Sequence, residues 1–130
     1  MKRARLISFL LDVLLAAAAA DGAALLATAA VWWLLPFGRP AIPFIWAAAG
    51  AAAIGLFLVR DARGGRARRW MGLEAVRRDG AVPGAALSIR RNLPLLVPGW
   101  NVLEAWPVLR DGAAPRRSDR KTGVQIRRTD

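Results

Sequence analysis

Residues 6–35 read LISFLLDVLLAAAAADGAALLATAAVWWLL, and Asp12 and Asp21 are the only charges in those thirty positions. Coiled as one helix the run is about 45 Å long at 1.5 Å per residue, against a hydrocarbon core of about 30 Å. A soluble core helix needs neither that length nor that uniformity, so the expectation is a membrane-spanning helix over 6–35. Lys2, Arg3 and Arg5 precede it and Trp32, Trp33 and Phe37 close it, a basic cytoplasmic flank and an interfacial aromatic belt. The opening MKRAR followed by apolar residues and AAAAA resembles a signal peptide, but the apolar run continues past any cleavage site. The reading is an uncleaved first helix.

Composition agrees. Of 130 residues 55% are hydrophobic, yet 20 Lys+Arg stand against 9 Asp+Glu, a net charge of +11. High apolar content and high positive charge coexist where apolar spans alternate with basic loops facing an anionic membrane surface. The rival meaning of such charge, nucleic-acid binding, needs a folded basic face, and no recognised nucleic-acid motif is present. There is no cysteine and no histidine, which excludes disulfides, thiolate metal sites and imidazole proton transfer, leaving carboxylates for proton chemistry inside a membrane. No nucleophile–base pair, metal cluster or phosphate loop is visible, so neither an enzyme nor a cofactor is expected.

Outward from the first run, PFGRPAIP (36–43) breaks the helix, and a second span is expected over 42–59. A basic cytoplasmic segment, 60–92, follows. Within it GLEAVRR (72–78) reads as a short strand ending in the turn Asp79-Gly80. PGAALSIRRNL (83–93) places Ala85, Ile89 and Leu93 on one helical face beside Arg90 and Arg91, the pattern of an amphipathic helix on the membrane surface. The third apolar run, LPLLVPGWNVLEAWPVL (93–109), contains Pro94, Pro98, Gly99, Pro107 and Glu104. It is either a short third span or a re-entrant hairpin turning at Pro98-Gly99. The hairpin keeps 19 of the 20 Lys+Arg cytoplasmic, leaving only Arg39 outside, as the positive-inside rule prefers. Single cysteines at Gly38 and Ala113 would separate the two topologies. The tail, 110–130, ends in TGVQIRRTD, whose alternation predicts a strand pairing with GLEAV into a two-stranded ribbon. The whole is expected to be one all-α membrane domain: two transmembrane helices, a third short or re-entrant segment, a surface helix and a small cytoplasmic β-ribbon.

This order of segments resembles the RDD family of small bacterial membrane proteins, named for an arginine and two aspartates. RLISFLLD is similar to the family's opening motif, with Arg5 and Asp12 in its arginine and first aspartate positions. RDARGGRARRWMGLEAVRRDG resembles the loop after the second span, RRNLPLL the next element, and RRSDRKTGVQI the closing motif, with Asp119 at the second aspartate. Two departures stand out: RARRW replaces the family's Ser-x-Gly-Lys, and Arg120-Lys121 follows Asp119 where a leucine- or alanine-containing stretch is usual. The resemblance implies a multi-pass protein of the bacterial inner membrane with both termini cytoplasmic, and transport roles, including cation/proton exchange.

The charged residues carry two functional readings. Asp21 lies mid-run, where a charge costs about 2.5–3.5 kcal/mol; with Glu104 it is the candidate ion or proton site of an oligomeric transporter. Asp12, nine positions earlier, falls on the opposite helix face and is expected to pair with an arginine of the RDARGG loop or the closing motif. Asp61 and Asp119 are expected in cytoplasmic ion pairs. The alternative reading is a non-catalytic interaction module or accessory subunit, with Arg66, Arg68, Arg69, Arg90 and Arg91 contacting anionic headgroups of the cytoplasmic leaflet or a partner protein. Alanine- and glycine-rich faces (AAAAADGAA, AAAGAAAIG) permit close helix packing and a homo-oligomer.

Overall fold

The computed structural model describes residues 2–35, 37–62, 65–111 and 114–129; Ala113, a proposed topology probe, lies outside the described residues. The chain is mostly helical with one small antiparallel sheet. In order it forms α1 (Lys2–Leu34), a 3-10 turn (Arg39–Ala41), α2 (Ile42–Leu58), α3 (Arg66–Trp70), β1 (Leu73–Arg77), α4 (Ala85–Asn92), a 3-10 turn (Leu93–Leu96), α5 (Trp100–Arg110), α6 (Arg117–Thr122) and β2 (Val124–Arg128). Two compact units emerge, residues 13–57 and residues 1–12 with 58–130.

The first unit is built on small residues. Ala20 and Ala24 of α1 are buried against Ala49 of α2, with Ile45 and Ala53 beside them. Large side chains point outward: Leu26 is 76% exposed and Trp33 81%. Alanine is the right residue for such a seam because the absence of bulk lets two backbones approach. At the turn between the helices the Arg39 guanidinium lies 4.1 Å from the Trp32 ring centroid, a cation–π contact. Residues 3–34 and 39–58 are the two segments long and apolar enough to cross a bilayer among the described residues.

The second unit inverts this arrangement. Among the described residues its buried apolar side chains are small or few (Ala67, Leu73, Ala75, Val76, Pro83 and Val124), and twelve polar or charged side chains are buried beside them, from Ser8 to Asp119. β1 and β2 pair antiparallel from Leu73↔Arg128 to Arg77↔Val124, with an exposed Glu74–Arg127 ion pair across the strands. Two strands alone are marginal in water; here α3 packs on β1 and α6 on β2. Gly123 ends α6 in the left-handed conformation (φ 68°), so the chain turns at once into β2.

The third apolar run is broken. Pro94 and Pro98 withhold amide donors, so residues 93–96 form only a 3-10 turn. Gly99 at φ 81° then reverses the chain, and α5 packs back against that turn. The eleven residues of α5 reach about 16 Å, half of a hydrocarbon core, so residues 93–109 form no single helix of spanning length. Gly99→Ala is expected to destabilise the fold by about 1–2 kcal/mol, because its φ is left to glycine. Gly84→Ala, at φ −73° with nothing within 4 Å of a new Cβ, should stay within about 0.5 kcal/mol. Comparing the two thermal unfolding midpoints checks this.

Candidate functional site

The buried charges of the second unit form one connected cluster. Asp61, immediately after α2, is fully buried. Its Oδ1 accepts from Arg68 and its Oδ2 from Arg91, while Asn92 Nδ2 donates to Oδ2 at 3.0 Å. The Asp61 amide donates to Ser88 Oγ at 3.0 Å, and Ser88 donates on to the Leu58 carbonyl at 2.7 Å. Asn92 reaches the same carbonyl at 3.1 Å, covering an orphan acceptor at the end of α2. Arg60 donates to Asn92 Oδ1 at 3.3 Å, lies 4.0 Å from Asp12, and sits over the Phe9 ring at 4.8 Å.

Arg91 is the bridge. Besides Asp61 it donates through Nε to Asp119 Oδ1 at 2.7 Å. Asp119 also accepts from Arg116 Nε at 3.3 Å and, through Oδ2, from the Arg116 amide at 3.1 Å. It thereby caps the first turn of α6. Glu104 of α5 holds the same turn from another side, accepting the Ser118 amide at 2.9 Å. Arg5 donates to the Ala114 carbonyl at 2.9 Å.

Burial and crowding depress the arginines. Desolvation, then the field of Arg91, lowers Arg116 to about 9; desolvation lowers Arg60 to about 10 although Asp12 opposes it. Arg68 is pulled well below its ordinary value by burial and then by Arg91 and Arg60. For Asp119 burial pushes the carboxyl up, but Arg91 and Arg116 outweigh it and hold the group below 3.8.

Of the residues singled out in the sequence, Asp12 meets Arg60 of the RDARGG stretch, and Asp61 and Asp119 are in ion pairs. Asp12 is buried and Asp21 exposed, on opposite faces of α1. Glu104 is buried on a backbone amide, in a different unit from Asp21. Arg66, Arg69 and Arg90 are exposed, as headgroup contacts require. Arg68 and Arg91 are not: both are buried on carboxylates, 6% and 1% exposed, so neither can reach a headgroup plane. On α4 the stripe of Ala85, Ile89 and Leu93 is exposed, and the opposite, buried face is Ser88, Arg91 and Asn92. Ser88, Asn92 and Arg116 escaped sequence reasoning. The signal for two of them is the i, i+4 spacing of Ser88 and Asn92, which with Arg91 make a polar stripe that reads as solvated until its partners are known.

No family model, curated protein or solved structure matches this chain.

Asp61→Asn leaves Arg68 and Arg91 buried with their shared counter-charge gone, and should destabilise the fold by about 3–5 kcal/mol; a loss under about 1 kcal/mol contradicts the cluster's role. The Asp119 shift predicts acid lability. Between its lowered folded value and the ordinary 3.8 the unfolded chain binds more protons, so stability rises with pH there. The contribution is present above about pH 4 and is lost on acidification through the folded value. Unfolding midpoints against pH, with Asp119→Asn showing a flatter acid limb, check the sign.

Proposed function

We propose that this chain is a small integral membrane protein of RDD type, acting as a non-catalytic interaction module at the cytoplasmic face of a bacterial inner membrane. The observation that carries the membrane reading is the exposure of the two long helices: only 22% and 6% of their apolar windows are buried. A soluble core helix is mostly buried; these surfaces need a solvent that is itself apolar. The topology follows from charge, since Arg39 is the one Lys or Arg between the two spans and the other 19 lie before the first or after the second.

The interaction reading is supported by what the carboxylates do. Asp61 and Asp119 are committed to arginines and Glu104 to a backbone amide, and Asp12 is buried 4.0 Å from the Arg60 guanidinium. Arg66, Arg69 and Arg90 remain exposed, each worth about 1 kcal/mol near an anionic leaflet. Ile89 and Leu93, 38% and 51% exposed, add an apolar stripe for the interface.

One observation favours a second reading, an oligomeric cation/proton exchanger. Asp21 is exposed on α1 one position from the buried Ala20. A carboxylate facing hydrocarbon is costly, and a second subunit or a water-filled path would relieve it. Proton flux in proteoliposomes that disappears in Asp21→Asn establishes this reading; no flux from well-folded protein removes it.

The protein is expected to stay with the membrane pellet after alkaline carbonate extraction. An impermeant thiol reagent added outside spheroplasts should label Phe37→Cys, at a 96% exposed position, and spare Lys121→Cys. Release by carbonate, or outside labelling of Lys121→Cys, contradicts the topology.

A further inference from the structure

Beside the ion cluster the second unit holds a cavity of about 400 Å³, within the range of small-molecule sites. Its two kinds of wall are unlike each other. One is Arg5, Arg60, Arg68, Arg91 and Arg116, with Asp119 the one carboxylate on the lining. The other is apolar, formed chiefly by Val102, Ala105, Val108 and Leu109. Those four recur at i, i+3, i+6 and i+7, one continuous face of α5.

The arginine wall includes two buried donors that have no acceptor among the described residues. Both Asp61 oxygens and both Asp119 oxygens are already taken by Arg68, Arg91, Asn92 and Arg116. Arg116 Nη2 and Arg5 Nε are buried with no hydrogen-bond partner, and Arg116 as a whole is only 9% exposed. Five guanidiniums face four buried carboxylates, Asp12, Asp61, Asp119 and, acting on Arg116 from α5, Glu104, an excess of one positive charge (5 − 4). A buried donor without an acceptor costs about 1–3 kcal/mol, more when charged. An oxyanion with several acceptor oxygens relieves two such donors on different elements at once, and guanidinium matches phosphate geometry best.

We propose that this cavity binds one phosphate-bearing amphiphile, its phosphate held by Arg116 and Arg5 and its apolar chain laid along the α5 face. The proposal rests on the membrane reading above, which puts phospholipid within reach; the same chemistry is offered by a soluble phosphate compound, and the two sources differ in whether the apolar wall is used.

The test is calorimetric titration of the full chain in non-ionic detergent with dihexanoyl phosphatidic acid, dihexanoyl phosphatidylcholine and inorganic phosphate, after carbonate extraction has scored membrane integration separately. Phosphatidic acid should bind saturably at one site and about tenfold more tightly than either comparison ligand. Arg116→Gln should weaken it about tenfold, the loss of a charge-assisted bond. Ala105→Leu, which narrows the apolar wall without touching the ion cluster, should weaken phosphatidic acid about fivefold and leave inorganic phosphate unchanged. Inorganic phosphate binding as tightly as phosphatidic acid, with Ala105→Leu silent, overturns the lipid assignment. No saturable binding of any of the three to protein with an intact unfolding transition overturns the site, even where carbonate extraction upholds membrane integration.

Discussion

A carboxylate with no exposed surface, Asp61, must be neutralised where it stands, and much of the second unit is arranged to do so. Two arginines and an asparagine from different stretches converge on its two oxygens. The desolvation of such a cluster is expensive, and its attraction repays the cost only when the remaining lone pairs and protons are also satisfied. Around Asp61 and Asp119 it is met for the carboxylates by Ser88, Asn92 and the Arg116 amide, while Arg116 Nη2 is left without a partner. The cluster therefore specifies which segments meet. Arg91 fixes α4 between the loop after α2 and the start of α6, and Glu104 fixes α5 to the same start. With so few apolar side chains buried in this unit, burial alone could not choose that arrangement.

The residues of 13–57 answer to the opposite constraint. Their interior is alanine and their outer surface is leucine, tryptophan and phenylalanine. In water this would expose a patch far beyond what a monomer tolerates; in hydrocarbon the outward side chains are at home and the helices associate through close backbone approach. Asp21 on α1 and Arg39 at the turn are the exposed charges of that surface among the described residues.

The parts of the fold governed by hydropathy were readable from the chain. The run 6–35 became α1 and 42–59 became α2, each within a few residues, because length and apolarity set them directly. The reversal at Pro98-Gly99 and the pairing of LEAVR with VQIRR followed from proline, glycine and alternation, which act locally. Asp12 was expected to meet an arginine and does. What could not be read was the direction of α4. Its apolar positions Ala85, Ile89 and Leu93 define a stripe, and periodicity analysis assumes the other face is solvated. Ser88, Arg91 and Asn92 are buried instead because Asp61 and Asp119, thirty and twenty-eight positions from Arg91, supply counter-charges that no local pattern announces. Arg68 was misjudged as a headgroup contact for the same reason, while Arg66 and Arg69 on either side of it do face outward.

The central claim is that Arg91, Asp61 and Asp119 act as one unit. A double-mutant cycle on Arg91→Met and Asp119→Asn, read by thermal unfolding in detergent, measures it most directly. The account predicts a coupling of about 1–3 kcal/mol, the double variant losing less than the sum of the singles because no charge is left without its partner across that contact. Losses that add to within about 0.3 kcal/mol would show the two residues to be independent and contradict it.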